Sequence, residues 1–298
     1  MIASTVNEST GTDIVLACNI CGSEQIRKID PDFNLCRCGS CGYVFDNPRP
    51  SFAEITVFYS KAGKYNAWLK KERARDMLWK RRLKKLLQCG AAGRLLDIGA
   101  GHGQFLHQAQ PFFSEVAGTE VSASAIAIAR EQYGLELLAG QVEEIQLPPQ
   151  SFDTITLFHV LEHVPDPCTL IHRCHALLRP PGILAIAVPN DVLAWTSKIK
   201  KMGKQLGLKP FEKFSSKLGI SRAGASREIH LSHFTPSVLR RLVENSGLQI
   251  IEESLDPYYV SRGARLFLDG AYYAAHRILH AALKINRYET IWMVARKP

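Results

Sequence analysis

Eleven residues constrain this chain more than any others: Leu95-Leu96-Asp97-Ile98-Gly99-Ala100-Gly101-His102-Gly103-Gln104-Phe105. An apolar run with one acid reads as a short buried strand. Three glycines at alternate positions then turn the backbone, and Phe105-Leu106 opens a stretch with helical spacing. Strand, glycine turn and helix together present backbone N–H groups and a helix N-terminus to a ligand. Glycine suits such a turn because a side chain would block close approach and because φ can be positive there. Downstream the signals keep alternating. Strands are expected at 95–98, 115–119, 135–139, 152–158 and 183–188, with helices at 105–110, 122–133 and 168–178 between them. Repeated strand–helix units predict an α/β, doubly wound parallel sheet, with ligands outside the carboxyl ends of its strands.

The glycine pattern is G-x-G-x-G, with Gln104 where a dinucleotide fingerprint has its third small residue. Glu120 closes the second strand and can accept two hydrogen bonds from ribose hydroxyls, a role that serves NAD and S-adenosylmethionine alike.

Upstream, Cys18-x2-Cys21-Gly22 recurs as Cys38-x2-Cys41-Gly42. Two such knuckles fit a four-cysteine, tetrahedral zinc site, with Cys36 as a competing ligand. Disulfides are the rival reading. They need an oxidising compartment, and Met1 to Asp13 shows neither a basic nor an apolar signal region, so a cytoplasmic protein is expected. No apolar run is long enough to span a bilayer. Cys89, Cys168 and Cys174 read as small core residues.

The formal net charge of +9 is uneven: Lys61 to Lys85 holds eleven Lys/Arg against Glu72 and Asp76, and Lys198 to Arg222 holds eight against Glu212. Either these are solvated helix faces, or they form a basic rim for an acidic acceptor, a nucleic acid or an anionic membrane. Ser51 is expected to cap a short helix over 53–59, and 67–88 reads as a long charged helix packing through Trp68, Leu69, Met77, Leu78, Leu83, Leu86 and Leu87. Tyr59, Tyr65 and Trp68 either line an entrance for an acceptor or pack that helix.

Five motifs in order carry a resemblance: Leu95 to Gly103; Gly118-Thr119-Glu120-Val121-Ser122; Gly140-Gln141-Val142 through Asp153; His159-Val160-Leu161-Glu162-His163-Val164-Pro165-Asp166-Pro167; and Leu178-Arg179-Pro180-Pro181-Gly182. Together they resemble class I S-adenosylmethionine-dependent methyltransferases. The N-terminal Cys18–Pro50 stretch and His230-Leu231-Ser232-His233-Phe234-Thr235-Pro236 are similar to parts of bacterial methyltransferases of sugar, polysaccharide and secondary-metabolite pathways that carry a zinc ribbon. The resemblance implies a Rossmann-like, seven-stranded sheet, with strand six at 249–253 after the helix 237–246. Strand seven at 290–295 would run antiparallel to the rest. It also implies a layout of zinc ribbon 14–50, helical linker 51–92 and methyltransferase domain 93–298, with a basic lid at 191–228 and a helical insert at 258–287. Leu266, Phe267, Ala271, Ala274, Ile278, Ala281, Ala282 and Ile285 space that insert as an amphipathic helix, packed on the domain or a second subunit, or lying on a membrane surface.

By the same resemblance Asp97, Gly99, Ala100, Gly101 and Gly103 would position the methionine end of S-adenosylmethionine. Glu120 and Val121 would hold the ribose, and Gln141, Val142 and His159 the adenine side. Two departures stand out: Gln141 where the family usually offers Asp, and Pro181 in place of a small residue. Cys18, Cys21, Cys38 and Cys41 would bind structural Zn2+. For the proton-handling groups, imidazole is apt because its ordinary pKa lies near neutrality. His163 with Glu162 is the leading pair. His159 serves as base or cofactor contact, His230 as acceptor contact, and His102 packs the loop. The expected activity is O- or C-methyl transfer to a small or sugar-like acceptor. An RNA methyltransferase and a non-catalytic interaction module are the alternatives.

Overall fold

A computed structural model describes residues 4–7, 12–30, 34–60, 72–197, 199, 202, 229–261 and 263–298. Tyr65, Trp68, Leu69 and most of the 191–228 segment lie outside the described residues.

The N-terminal strands are β1 (Ser4–Asn7), β2 (Thr12–Val15), β3 (Ile26–Lys28), β4 (Leu35–Cys38), β5 (Val44–Asp46) and β6 (Arg49–Pro50). The polar composition of residues 1–13 predicts a disordered lead, but it supplies β1, which pairs antiparallel with β2, as β2 does with β6. Helix α1 (Phe52–Ser60) starts at a reciprocal cap: the Glu54 N–H donates to the Ser51 hydroxyl, and the Ser51 N–H to the Glu54 carboxylate. Helix α2 (Glu72–Gln88) follows.

The alternating part comprises β7 (Arg94–Ile98), α3 (Gln104–Ala109), β8 (Glu115–Glu120), α4 (Ala123–Tyr133), β9 (Leu138–Ala139), β10 (Phe152–Phe158), α5 (Pro167–Leu177) and β11 (Leu178–Pro189). The last elements are β12 (Ser232–His233), α6 (Pro236–Asn245), β13 (Gln249–Ser254), α7 (Ala264–Leu283) and β14 (Thr290–Arg296). One seven-stranded sheet runs β13-β14-β11-β10-β7-β8-β9. The β7, β8, β9, β10 and β11 neighbours are parallel, and β14 is antiparallel to both β11 and β13.

Local chemistry explains most boundaries. Ser122 caps α4 and Asp166 caps α5, each accepting from backbone N–H groups of the first turn, with Pro167 at the first helical position. β9 is shorter than its apolar alternation suggests. It lies at the sheet edge, paired with β8, and Leu135 and Leu137 spend their burial packing in the core. β11 begins earlier than expected, because Leu178 pairs with Phe152 before a register shift that accommodates Pro180-Pro181.

Side chains alternate across the sheet and build a core on each face. Leu96, Ile155, Leu157, Leu184 and Ile186 meet α5 and α6 on one side, continuous with Cys18, Ile20, Tyr43 and Phe45 of the N-terminal strands. Leu95, Ala185, Ala187, Trp292 and Val294 meet Trp79, Leu83 and Leu86 of α2 and Phe105 of α3 on the other. Helix α2 therefore packs against the sheet through Trp79 in place of the expected Met77, which is exposed.

The basic run of this helix is partly internal. Arg82 is fully buried, Lys85 lies 3.2 Å from Glu252, and the Arg81 guanidinium stands 3.7 Å over the Tyr259 ring. These cations neutralise and cover the domain's own groups, which weakens the reading of the whole run as a solvent-facing basic rim.

Candidate active site

The glycine turn leaves β7 at the carboxyl end of the sheet. Gly99 has φ 71°, and a Cβ there would sit 2.6 Å from Val160 Cγ2; at Gly103, φ 79°, it would sit 2.8 Å from Leu135 Cδ1. At both positions the small residue is required by the protein's own packing, before any ligand is considered. Asp97 is buried in β7 opposite Thr156 of β10, whose hydroxyl donates to Oδ1 at 2.6 Å. Burial pushes the Asp97 carboxyl up to about 7.

Glu120 ends β8 and folds back over the turn. Its Oε2 accepts from Gly101 N–H at 2.8 Å, and its Oε1 from Val121 and Ser122 N–H at 2.9 Å each. Burial pushes this carboxyl up, against the pull of those three amides. A carboxylate offers about four lone-pair sites, so about one remains for a ribose hydroxyl. Val142 is buried beyond β9, and Gln141 donates from Nε2 to Glu144 Oε1 at 3.2 Å. Arg173 of α5 donates to the carbonyls of Val142 at 3.1 Å and Ile145 at 2.8 Å, pinning this loop beside the turn.

After β10 come the histidines. His159 has φ 60°, a left-handed conformation that costs a non-glycine residue energy and marks a site held in place by its surroundings. Its Nδ1 lies 3.0 Å from Glu162 Oε1, and its Nε2 is 3.9 Å from Asp256 Oδ2. Asp256 is itself gripped by Arg82: Nε reaches Oδ1 at 2.9 Å and a terminal nitrogen reaches Oδ2 at 2.5 Å, both residues buried. Glu162 is buried, and its Oε1 is 3.8 Å from His163 Nε2. Burial pushes Glu162 up, but His163, His159 and His230 together outweigh it and hold the carboxyl below the ordinary range.

His163 Nδ1 lies 2.5 Å from the Ile229 carbonyl and 3.1 Å from the Tyr59 hydroxyl. A carbonyl can only accept, so Nδ1 carries the proton and the neutral ring has its lone pair at Nε2. The His230 ring is 5.0 Å from that of His163, and its Nδ1 is 3.4 Å from Asp191 Oδ2. His233 follows, with Nε2 3.7 Å from Asp46 Oδ1. Backbone bonds fasten the group together, Leu231 and Ser232 N–H donating to the Glu162 carbonyl at 2.7 and 3.2 Å. Two trios, Glu162–His163–His230 and Asp191–His230–His233, bring one ligand atom from each residue within 4.8 Å of the others.

The four cysteines meet in a second cluster. Cys18 and Cys41 sulfurs are 3.5 Å apart, as are those of Cys21 and Cys38. A tetrahedron with Zn–S bonds of about 2.3 Å has edges of about 3.8 Å, so the thiols fit a zinc ion. Gly22 and Gly42 donate back to the carbonyls of Cys18 and Cys38 at 2.8 and 3.0 Å, the turn that aims each pair. Cys36 stands apart, its sulfur 3.7 Å from the Asn47 carbonyl. This cluster is joined to the histidines: β12 pairs antiparallel with β5, Ser232 opposite Phe45 and His233 opposite Val44. The Tyr43 hydroxyl lies 2.5 Å from the Ser232 hydroxyl.

The structure thus brings together all the residues singled out for the cofactor turn, and places His159, Glu162, His163 and His230 in one cluster beside it. Arg82, Asp191 and Asp256 were not foreseen. Arg82 sits in a run of basic residues that reads as a wet surface, and no local pattern links it to an acid far along the chain.

A family model described as a methyltransferase domain matches residues 70–253. The ubiquinone biosynthesis O-methyltransferase of Rhodopseudomonas palustris (strain BisB5) is 34% identical over 111 residues, 36% of this chain and 44% of that one. The protein of the same name from Azoarcus sp. (strain BH72) is 26% identical over 174 residues, 56% of this chain and 69% of that one. The chain spans about half the length of the curated relatives it matches. Among solved structures, an S-adenosylmethionine-dependent methyltransferase from Thermotoga maritima superposes with a TM-score of 0.52 at 18% identity, covering 82% of this chain and 100% of that one. One from Leishmania major gives 0.51 at 13% identity, covering 82% of each. At these identities the structures establish a shared fold.

Proposed function

The chain belongs to the methyltransferase domain family, and on that premise we propose that it moves the methyl group of S-adenosylmethionine to a hydroxyl of a small acceptor. The observation that carries this is the convergence of Glu162, His159, His163 and His230 next to the Gly99–Gly103 turn. The curated relatives, named O-methyltransferases, support oxygen over carbon as the acceptor atom.

When bound, S-adenosylmethionine would supply an electrophilic methyl group, so the chain has to bind, orient and handle a proton. Asp97, Gly99, Ala100, Gly101 and Gly103 would hold its methionine end, Glu120 and Val121 its ribose, and Gln141 and Val142 the adenine edge. His163 takes the proton of the acceptor hydroxyl at Nε2, the nitrogen left basic by the Nδ1–H bond to Ile229. The Glu162 carboxylate stabilises the resulting imidazolium. His159 orients Glu162, and His230 contacts the acceptor. Zn2+ on Cys18, Cys21, Cys38 and Cys41 would hold the ribbon from which β5 positions β12.

Titration calorimetry with S-adenosylmethionine and S-adenosylhomocysteine tests the binding half. Micromolar affinity is expected, weakened at least about tenfold in Glu120→Ala; an unchanged Kd would remove Glu120 from the site. Release of S-adenosylhomocysteine with phenolic and sugar hydroxyl acceptors tests the rest, with His163→Ala expected to lose about 10²-fold or more in kcat while keeping cofactor affinity.

The Glu162–His163–His230 trio favours a second reading, in which a divalent cation there polarises the acceptor hydroxyl in place of a base. Dialysed enzyme that keeps its ribbon zinc, is inactive, and recovers with added Zn2+ or Fe2+, ions suited to two imidazoles and a carboxylate, would select it.

A further inference from the structure

Helix α7 is amphipathic in the wrong sense for a surface helix. At about 100° per residue, Phe267, Ala271, Ala274, Ile278 and Ala281 fall within an arc of about 80°, and every one of them is exposed. Phe267 is 80% exposed, with Leu268 and Ile278 at 71% each. The opposite face, turned to the protein, is polar and aromatic. Tyr273 donates to the Leu255 carbonyl at 3.2 Å and His280 Nε2 to the Glu253 carbonyl at 3.1 Å, while His276 is buried against Tyr272 and Tyr288. An ordinary surface helix hides its apolar stripe and shows its polar one. Here the hydrogen bonds that fix the helix to the domain force the apolar stripe outward.

A neighbouring segment also exposes apolar residues. Trp195, whose ring is 5.7 Å from that of His276, is 50% exposed, followed by Ile199 at 51% and Met202 at 56%. The charged residues that flank the stripe are cations. Arg277 and Lys284, about 80° and about 100° round the helix from Phe267, are exposed; Arg265 lies on the opposite face, 4.0 Å from Asp269, which is half-buried and bonded to the Ser261 hydroxyl.

We infer that α7 docks on an anionic membrane surface, the apolar stripe entering the headgroup–acyl boundary and the flanking Arg277 and Lys284 meeting lipid phosphates. Charge complementarity selects this occupant over a second copy. Face-to-face stripes of two chains would bring Arg277 and Lys284 of both copies to one interface in a protein of net charge +9. No helix among the described residues is long and apolar enough to cross a membrane, so the contact is at the surface.

Vesicle co-sedimentation of the full chain tests this without reference to its activity. Binding to vesicles of phosphatidylcholine with phosphatidylglycerol is expected to be at least about tenfold tighter than to phosphatidylcholine alone, and to weaken with salt. The variant F267S/I278S, whose side chains touch solvent, should lose that binding while keeping its circular dichroism spectrum and cofactor affinity. R277E/K284E should lose the preference for anionic lipid. Equal binding to both vesicle types, or none to either, overturns the inference. So does a dimer in light scattering that F267S/I278S dissociates, which would give the stripe to a second copy.

Discussion

Asp97 carries a carboxyl in the sheet at the fold's expense. Its position beside Thr156 in the sheet centre is dry, and burial raises its pKa from an ordinary 3.8 to about 7. The folded state therefore holds this proton more tightly than the unfolded chain does. Between about pH 4 and pH 7 native stability falls as pH rises, and above pH 7 the full cost of the ionised carboxylate is present, on the order of a few kcal/mol. Asp97→Asn keeps an acceptor for Thr156 and removes the charge. It is expected to raise Tm relative to the parent at pH 8.5 and to change it little at pH 5, read by thermal melts without cofactor. The same variant should bind S-adenosylmethionine more weakly. Equal shifts at the two pH values would mean that Asp97 is solvated. The acid and its neighbouring glycines were legible in the sequence because the turn is local: all of it lies within eleven residues. That Gly99 and Gly103 are small to admit Val160 and Leu135 was not legible, since those contacts come from distant segments.

Among the elements, the two-residue strand β12 joins most of the site. It pairs with β5 of the cysteine-rich sheet, it follows His230 in the chain, and its Ser232 and the preceding Leu231 donate to the Glu162 carbonyl. Loosening the ribbon should therefore loosen the histidines. Cys38→Ser is expected to lower bound zinc and to reduce turnover several-fold or more, with cofactor affinity near that of the parent, because the glycine turn is held by other strands. Cys36→Ser, whose sulfur faces Asn47, should keep its zinc. Metal analysis with paired kinetics checks both; full zinc in Cys38→Ser with none in Cys36→Ser would exchange the two roles. The element types were legible from caps, periodicity and glycines, and their bounds agree closely for β10 and α4. β12 was not, for a strand of two residues has no periodicity to detect.

Across the whole molecule, α2 closes the sheet face and carries Arg82 to Asp256, a buried pair beside His159. Removing one partner leaves a desolvated charge, so Arg82→Met or Asp256→Asn alone is expected to cost about 3–5 kcal/mol in urea unfolding. The double variant should recover much of that loss, and additive losses would show that the two residues are not coupled. By itself the sequence determined what is local or periodic: the doubly wound sheet with its glycine turn, the cysteine knuckles, and the histidine–glutamate motif after β10. Only the tertiary structure decided which long-range groups share one dry space. Asp46, Asp191, His230, His233 and Asp256 reach the site through pairing and packing over long sequence separations. The partly internal basic run and the outward apolar stripe of α7 were decided in the same way. Charge and hydropathy name a residue's preference, but its surroundings are set by chain segments that no local pattern specifies.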